Sequence, residues 1–243
     1  MNHGSASRAG VDAAADNLGR VEQRVVAAAS AAGRHREDLT LIAVSKTRPP
    51  GDVLALARLG VRDFGESRWQ ELAPKIDAVL ALDAGPDGVA PGLRWHFLGR
   101  LQRNKARAVA AAIGTVHSLD RAELCAPLSR GAAAADRILD AFVQVTLDGD
   151  PTRGGVAPED LPALADAVAA APALRLVGLM AVAPLGAPAR PAFARLRRLS
   201  ERLRVDHPEA WSISAGMSGD LEDAVAEGAT HLRVGTALFG SRA

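Results

Sequence analysis

Short apolar runs alternate with longer amphipathic stretches along nearly the whole chain. The runs Leu39–Ser45, Val61–Gly65, Leu93–Leu98, Thr115–Leu119, Asp140–Leu147, Leu174–Val182, Trp211–Ser214 and His231–Gly235 read as strands. Each is short, rich in apolar or β-branched residues, and bounded by residues that favour turns or helix starts. Between them, apolar positions at helical spacing predict helices over Gly51–Leu59, Trp69–Leu82, Gln102–Ala112, Asp120–Ala135, Pro158–Ala170, Pro191–Val205 and Gly219–Glu227. Ahead of the first strand, Leu18, Val21, Val25 and Ala28 share one helical face, and Gly33 ends the pattern, which predicts a helix over Val11–Ala32. Residues Met1–Gly10 carry no apolar period and read as a disordered tail.

Strict alternation of strand and helix implies a parallel sheet with right-handed crossovers. Eight such units in a chain of 243 residues match the size of a closed barrel, about 250 residues. The expected class is therefore α/β, a single (β/α)8 TIM barrel with an extra N-terminal helix, occupying residues 11–243 as one domain. The runner-up, an open doubly wound sheet, usually carries a glycine-rich first turn, and Ser45-Lys46-Thr47-Arg48 is not one.

Composition narrows the partners. A formal net charge of +1 gives no global field for nucleic acid or an anionic membrane. The basic run Arg100, Arg103, Lys105 and Arg107 has no interleaved aromatics and reads as a solvated helix face. No stretch reaches the roughly 20 apolar residues of a membrane span, and no apolar signal core opens the chain. A single cysteine, Cys125, suits a reducing compartment. These features point to a cytoplasmic protein without nucleic-acid or membrane partners. No apolar dimer face stands out, so a monomer is expected.

The candidate chemistry lies where the strands end. Lys46 closes the first strand, where α/β barrels place their sites. A desolvated amine there is a candidate Schiff-base nucleophile. The loops after strands seven and eight, Ala215-Gly216-Met217-Ser218-Gly219 and Gly235-Thr236, are small and hydroxylated, suited to a phosphate. Ser218 can act there as a helix cap or as a phosphate donor. Arg233 alternates with Leu232 and Val234, so a closed barrel can turn it inward. Barrel closure would set Lys46 beside the last strand. Amine, arginine and phosphate cradle together describe a site for a phosphorylated carbonyl compound. Pyridoxal 5′-phosphate (PLP) fits that description; a phosphosugar aldolase fits less well, lacking an acid/base residue nearby.

Five segments carry a resemblance: Leu41-Ile-Ala-Val-Ser-Lys46; Phe64-Gly-Glu66 with Gln70-Glu71; Trp95-His-Phe-Leu-Gly99 with Leu101-Gln102 and Asn104-Lys105; Ser214-Ala-Gly-Met-Ser218; and Val234-Gly-Thr-Ala-Leu-Phe-Gly240. In that order and spacing the chain resembles the pyridoxal phosphate homeostasis protein family, similar in fold to the barrel domain of bacterial alanine racemase. The resemblance implies a PLP-binding protein of intracellular vitamin B6 homeostasis that holds the cofactor as a covalent aldimine on Lys46. It implies little turnover, no catalytic residue and no metal, with PLP-dependent apoenzymes as recipients. The cofactor-binding set it implies is Lys46, Ser67, His96, Ser214, Gly216, Met217, Ser218, Arg233, Gly235 and Thr236, with Arg233 facing the pyridine nitrogen. His96, inside a strand beside two aromatics, also reads as a hydrogen-bonded core residue. Two positions depart from the family pattern: Ser67 stands where an asparagine is usual, and Arg153 where a lysine is frequent. The alternative is an amino-acid racemase of the alanine racemase type, which calls for a tyrosine base from a second domain; the chain has no tyrosine.

Overall fold

The structure, a computed structural model, describes residues 8–240. Strands β1 (Thr40–Val44), β2 (Asp63–Glu66), β3 (Arg94–Phe97), β4 (Thr115–Leu119), β5 (Leu139–Gln144), β6 (Leu174–Met180), β7 (Ser212–Ser214) and β8 (His231–Val234) are parallel and close in sequence order into one barrel. Helix α1 (Arg8–Ala31) precedes them. Helices α2 (Pro50–Arg58), α3 (Trp69–Leu82), α4 (Arg103–Ala112), α5 (Cys125–Ala134), α6 (Leu161–Ala169), α7 (Ala189–Asp206) and α8 (Leu221–Ala226) follow the first seven strands, and α9 (Thr236–Phe239) follows β8. This is a (β/α)8 barrel, as the alternation predicts. Of the expected tail, residues 1–7 lie outside the described residues and Arg8–Gly10 belong to α1. Among the described residues no helix is long and apolar enough to cross a membrane.

The strands read as apolar runs because both of their faces are covered. The outward set, including Leu41, Ala43, Phe64, Trp95, Val116, Ala141, Val143, Leu179, Leu232 and Val234, is buried under the helical ring. Phe64 and Trp95 pack there with ring centroids 5.9 Å apart. Cys125 is buried at the start of α5, in a packing role. That helix is shorter than the predicted Asp120–Ala135, because Ala122–Leu124 form a separate 3-10 turn. The basic residues Arg100, Arg103 and Arg107 are exposed on and before α4.

The inward set is different. It includes Ile42, His96, His117, Phe142, Ser214 and Arg233, so the barrel interior is unusually polar. Positions that alternate along each strand run on past its end to the carboxyl rim, where Val44, Ser67, Leu98, Val182 and Gly235 border one cavity. Closure fixes this register: Ile42 of β1 pairs with Arg233 of β8, and Ala43 with Val234. Helix α1 packs over that seam, against α2, α8 and α9. Asn17 donates to the Leu238 carbonyl at 3.0 Å, and Arg34 to the Ala229 carbonyl at 2.6 Å.

β6 and β7 approach closely only because Gly178 lacks a side chain. A Cβ at Gly178, whose φ is +153°, would lie 1.8 Å from the Ser212 carbonyl oxygen. Gly178→Ala is therefore expected to cost about 3 kcal/mol through overpacking and backbone strain. Gly114→Ala, where nothing lies within 4 Å, is expected to cost under about 1 kcal/mol. Urea denaturation of the two variants checks the contrast.

Candidate functional site

A cavity of ≈ 360 Å³ opens at the carboxyl rim between β1, β8 and the loop after β7. Of the residues expected to form a site, Lys46, Ser67, Met217, Ser218, Arg233, Gly235 and Thr236 line it. His96, Ser214 and Gly216 do not. His96 and Ser214 lie buried in the barrel interior. Gly216, at φ +89°, carries the turn out of β7, where a Cβ would sit 2.7 Å from the Ala224 side chain; its carbonyl accepts from the Arg233 N–H at 2.9 Å.

Lys46 is solvent-exposed, so the expected desolvation of its amine is not found. β1 stops pairing at Val44, and Lys46 stands beyond it on the rim. Its backbone is nevertheless tightly held. Thr47 adopts φ +64°, a genuine outlier for a β-branched residue that costs on the order of 1–3 kcal/mol. The Thr47 N–H donates to Glu71 at 2.9 Å. On the other side, Lys75 reaches in from α3, donating to the Ser45 carbonyl at 2.6 Å and pairing with buried Glu66. The Ser45 hydroxyl completes the cluster with a 3.1 Å bond to Glu66. Lys75 was not singled out from sequence. Its signal was its place between Leu72 and Val79 on the buried stripe of α3, a lysine where the helix faces the barrel.

The loops supply hydroxyls and backbone N–H groups. Among the described residues, the N–H groups of Ser218, Gly219 and Thr236 make no backbone hydrogen bond in these loops. The capping expectation for Ser218 is corrected: α8 begins at Leu221, later than the predicted Gly219, and its N-cap is Asp220. The Asp220 carboxylate already accepts from the Met217 N–H at 2.6 Å, which closes the turn without Ser218. The Ser218 hydroxyl instead faces the α9 end, accepting from the Ala237 N–H at 3.4 Å. Helix α9 itself was not predicted, being a single turn. Arg24 of α1 braces the same loop, donating to the Ser218 carbonyl at 3.0 Å and pairing with Glu222 at 2.7 Å. Arg48 crosses to the Gly240 carbonyl and sits over the Phe239 ring.

Arg233 is the interior cation. It is 6% exposed, donates to Ser214 Oγ at 2.6 Å and to the Ala181 carbonyl at 2.9 Å, and forms no salt bridge to a carboxylate among the described residues. Burial lowers its guanidinium to about 10, against a smaller opposing pull from Asp220; it stays charged. A buried cation without a paired carboxylate is costly unless a ligand completes its shell. Among the described residues the cavity borders on no Asp, Glu, His, Tyr or Cys side chain. Arg153, the second departure from the family pattern, is tied instead to Asp148 at 2.5 Å and to the Ala183 carbonyl at 2.6 Å. Among the described residues no group of His, Cys, Asp and Glu is arranged to hold a metal.

Over residues 17–243 the chain matches the family model described as the alanine racemase N-terminal domain. A relative from Pseudomonas aeruginosa named pyridoxal phosphate homeostasis protein is 43% identical over 231 residues, covering 94% of this chain and 95% of the relative. One of the same name from Escherichia coli strain K12 is 38% identical over 232 residues, covering 94% and 96%. The chain belongs to the pyridoxal phosphate homeostasis protein family. A solved structure, PipY of Synechococcus elongatus with PLP bound, is 37% identical with a TM-score of 0.75, over 84% of this chain and 93% of that one. Alanine racemase from Corynebacterium glutamicum, 17% identical with a TM-score of 0.70, covers 96% of this chain and 62% of that one, and shares the fold.

In this member of the family the buried histidines make stability pH-dependent. Burial drives His117 well below its ordinary value, with His96, His231 and Arg233 adding to the shift. Burial likewise brings His231 to about 4, helped by His96 and Arg233 and opposed by Asp63. The unfolded chain takes up these protons below about pH 6.5, while the folded chain refuses them. Stability is therefore expected to fall as pH drops from about 6.5 towards 4, by up to about 1.4 kcal/mol per pH unit for each histidine. Urea midpoints across that range check this, and His231→Asn should flatten the slope.

Proposed function

We propose that this protein holds PLP on Lys46 and serves intracellular vitamin B6 homeostasis, supplying PLP-dependent apoenzymes while turning over little substrate itself. The observation that carries the reading is Arg233: a buried guanidinium with no carboxylate partner among the described residues, bordering the same cavity as Lys46. The donor set fits the cofactor. Lys46 offers an amine, the loops after β7 and β8 offer Ser218, Thr236 and unengaged backbone N–H groups for a phosphate, and Arg233 offers a cation for the ring nitrogen. When bound, the cofactor supplies an aldehyde that condenses with an amine.

The residues of the chain then divide the work. Glu66, Lys75 and the Thr47 turn fix the backbone at Lys46 and leave its amine free at the rim. The loop after β7, braced by Arg24, holds the anion. Arg233 cannot accept a hydrogen bond, so it favours an unprotonated ring nitrogen and a ring that withdraws electrons weakly. Among the described residues no carboxylate, imidazole or phenol borders the cavity to take a proton from a substrate carbon. This favours holding over racemisation. The PLP named in the PipY structure and the names of the relatives support the same reading.

Incubation of the purified protein with PLP is expected to give a visible absorption band and, after borohydride reduction, a stable mass increase on Lys46. Lys46→Ala should abolish both. A variant that keeps the band undiminished would overturn the assignment. Deuterium exchange at the α-carbon of alanine is expected to stay near background; brisk exchange would favour the racemase alternative.

A further inference from the structure

Beneath Arg233 a chain of buried side chains crosses the barrel. Arg233 Nη1 lies 2.6 Å from Ser214 Oγ. Ser214 Oγ lies 2.8 Å from His117 Nδ1. His117 Nε2 lies 3.0 Å from His96 Nδ1. His96 Nε2 lies 3.0 Å from Asp63 Oδ1. Asp63 in turn receives Arg94 on both oxygens, at 2.7 and 2.5 Å, at the amino-terminal end of the strands.

The two ends set the direction of the bonds they make themselves. Arg233 can only donate, and an ionised Asp63 can only accept. Burial by itself pushes the Asp63 carboxyl up, but the bonds from His96 and Arg94 outweigh it and bring it to about 2, so it is ionised. Ser214 then accepts from Arg233, and its hydroxyl keeps a second lone pair and a proton for the bond to His117 Nδ1. His96 donates from Nε2 to Asp63, and its Nδ1 shares one proton with His117 Nε2. Losing any one partner leaves a buried donor or acceptor unpaired, a costly arrangement. Burial and the neighbouring cation keep His117 neutral. His117 is further locked by stacking on Phe142, with centroids 4.5 Å apart.

We propose that His117, His96 and Asp63 are positioning residues that act through Ser214 to fix Arg233 in the cavity. The proposal rests on the cofactor reading above for its consequence, though not for its geometry. A carboxylate in direct contact with Arg233 would draw the guanidinium aside and cancel its field. The chain instead holds the cation through a neutral hydroxyl, with the negative charge kept at the far end of the barrel. Arg233 keeps its orientation and its charge remains available to a ligand.

The test has two arms. Nitrogen-15 NMR of the protein without PLP should show His117 as a neutral imidazole at pH 7, with a slowly exchanging Arg233 guanidinium. His117→Phe, which removes the donor and the acceptor, should speed that exchange and weaken PLP retention about tenfold. His117→Gln, which keeps one donor and one acceptor, should restore both to within about twofold. Ser214→Ala cuts the chain with a smaller change and should match His117→Phe. A His117 imidazolium, unchanged Arg233 exchange in the Phe and Ala variants, or a Gln variant as impaired as Phe would overturn the proposal. If wild-type protein takes up no PLP, the cofactor reading falls, and Arg233 exchange still decides the positioning role.

Discussion

The pairing of β1 with β8 is the contact on which the site depends. It joins the first and last strands of the barrel in a register that sets Ile42 against Arg233. Because side chains alternate with a period of two, a slip by one residue would turn Arg233 into the helical ring and bring Leu232 or Val234 inside. The barrel has no free edge on which such a slip could be absorbed. Helix α1 reinforces the seam from outside, bonding to α9 and to the loop after β7, and Arg34 just beyond its end bonds to the turn before β8. The extra helix therefore stabilises the one strand pair that brings Lys46 and Arg233 to the same cavity.

Closure also has a cost, since it carries a guanidinium, two imidazoles and a carboxylate into a space that barrels of this type usually fill with branched apolar side chains. Each of these groups is bonded, and Arg94 offsets the Asp63 charge from the rim. The interior is thus a continuous polar chain set among Ile42, Phe142 and neighbouring apolar groups. Such a chain tolerates single losses poorly, because each group is held by its neighbours. Its stability is tied to His117, which burial keeps neutral, so a group that orders Arg233 also makes the fold sensitive to acid.

The architecture was legible because both faces of each strand are buried and the helices between them are amphipathic. Strand ends were less so. β5 and β6 stop short of the predicted Leu147 and Val182, where the chain leaves the ladder for the rim. The rim residues Lys46, Ser218, Arg233 and Thr236 could be found from their positions at strand ends. The interior chain could not. His96 suggested a hydrogen-bonded core residue, but its partners Asp63 and His117 lie on other strands, and only the barrel register shows which side chains share a layer. Lys75 was hidden for a related reason: a lysine on a helix is ordinarily solvated, and its buried partner Glu66 sits on a strand. The exposure of Lys46 is hidden in the sequence because the apolar run leads straight up to it, whereas the last ladder bond of β1 is made by the Ser45 N–H and Lys46 stands beyond it.

Around Lys46, the constraints fall on the backbone rather than on the amine. Glu66 and Lys75 hold Ser45 from below, and the left-handed turn at Thr47 is secured by Glu71. The strained turn persists because these contacts over-determine it. At Arg233 the opposite holds: the side chain is gripped and its charge is left unmatched. A free amine on a fixed backbone and a fixed cation with a free field are complementary. The first can form and release a bond without disturbing the barrel, and the second recognises what is bound without moving. Neither supplies a proton acceptor at the cavity wall. On the reading proposed here, that combination suits retention and release of an aldehyde cofactor better than chemistry carried out upon it.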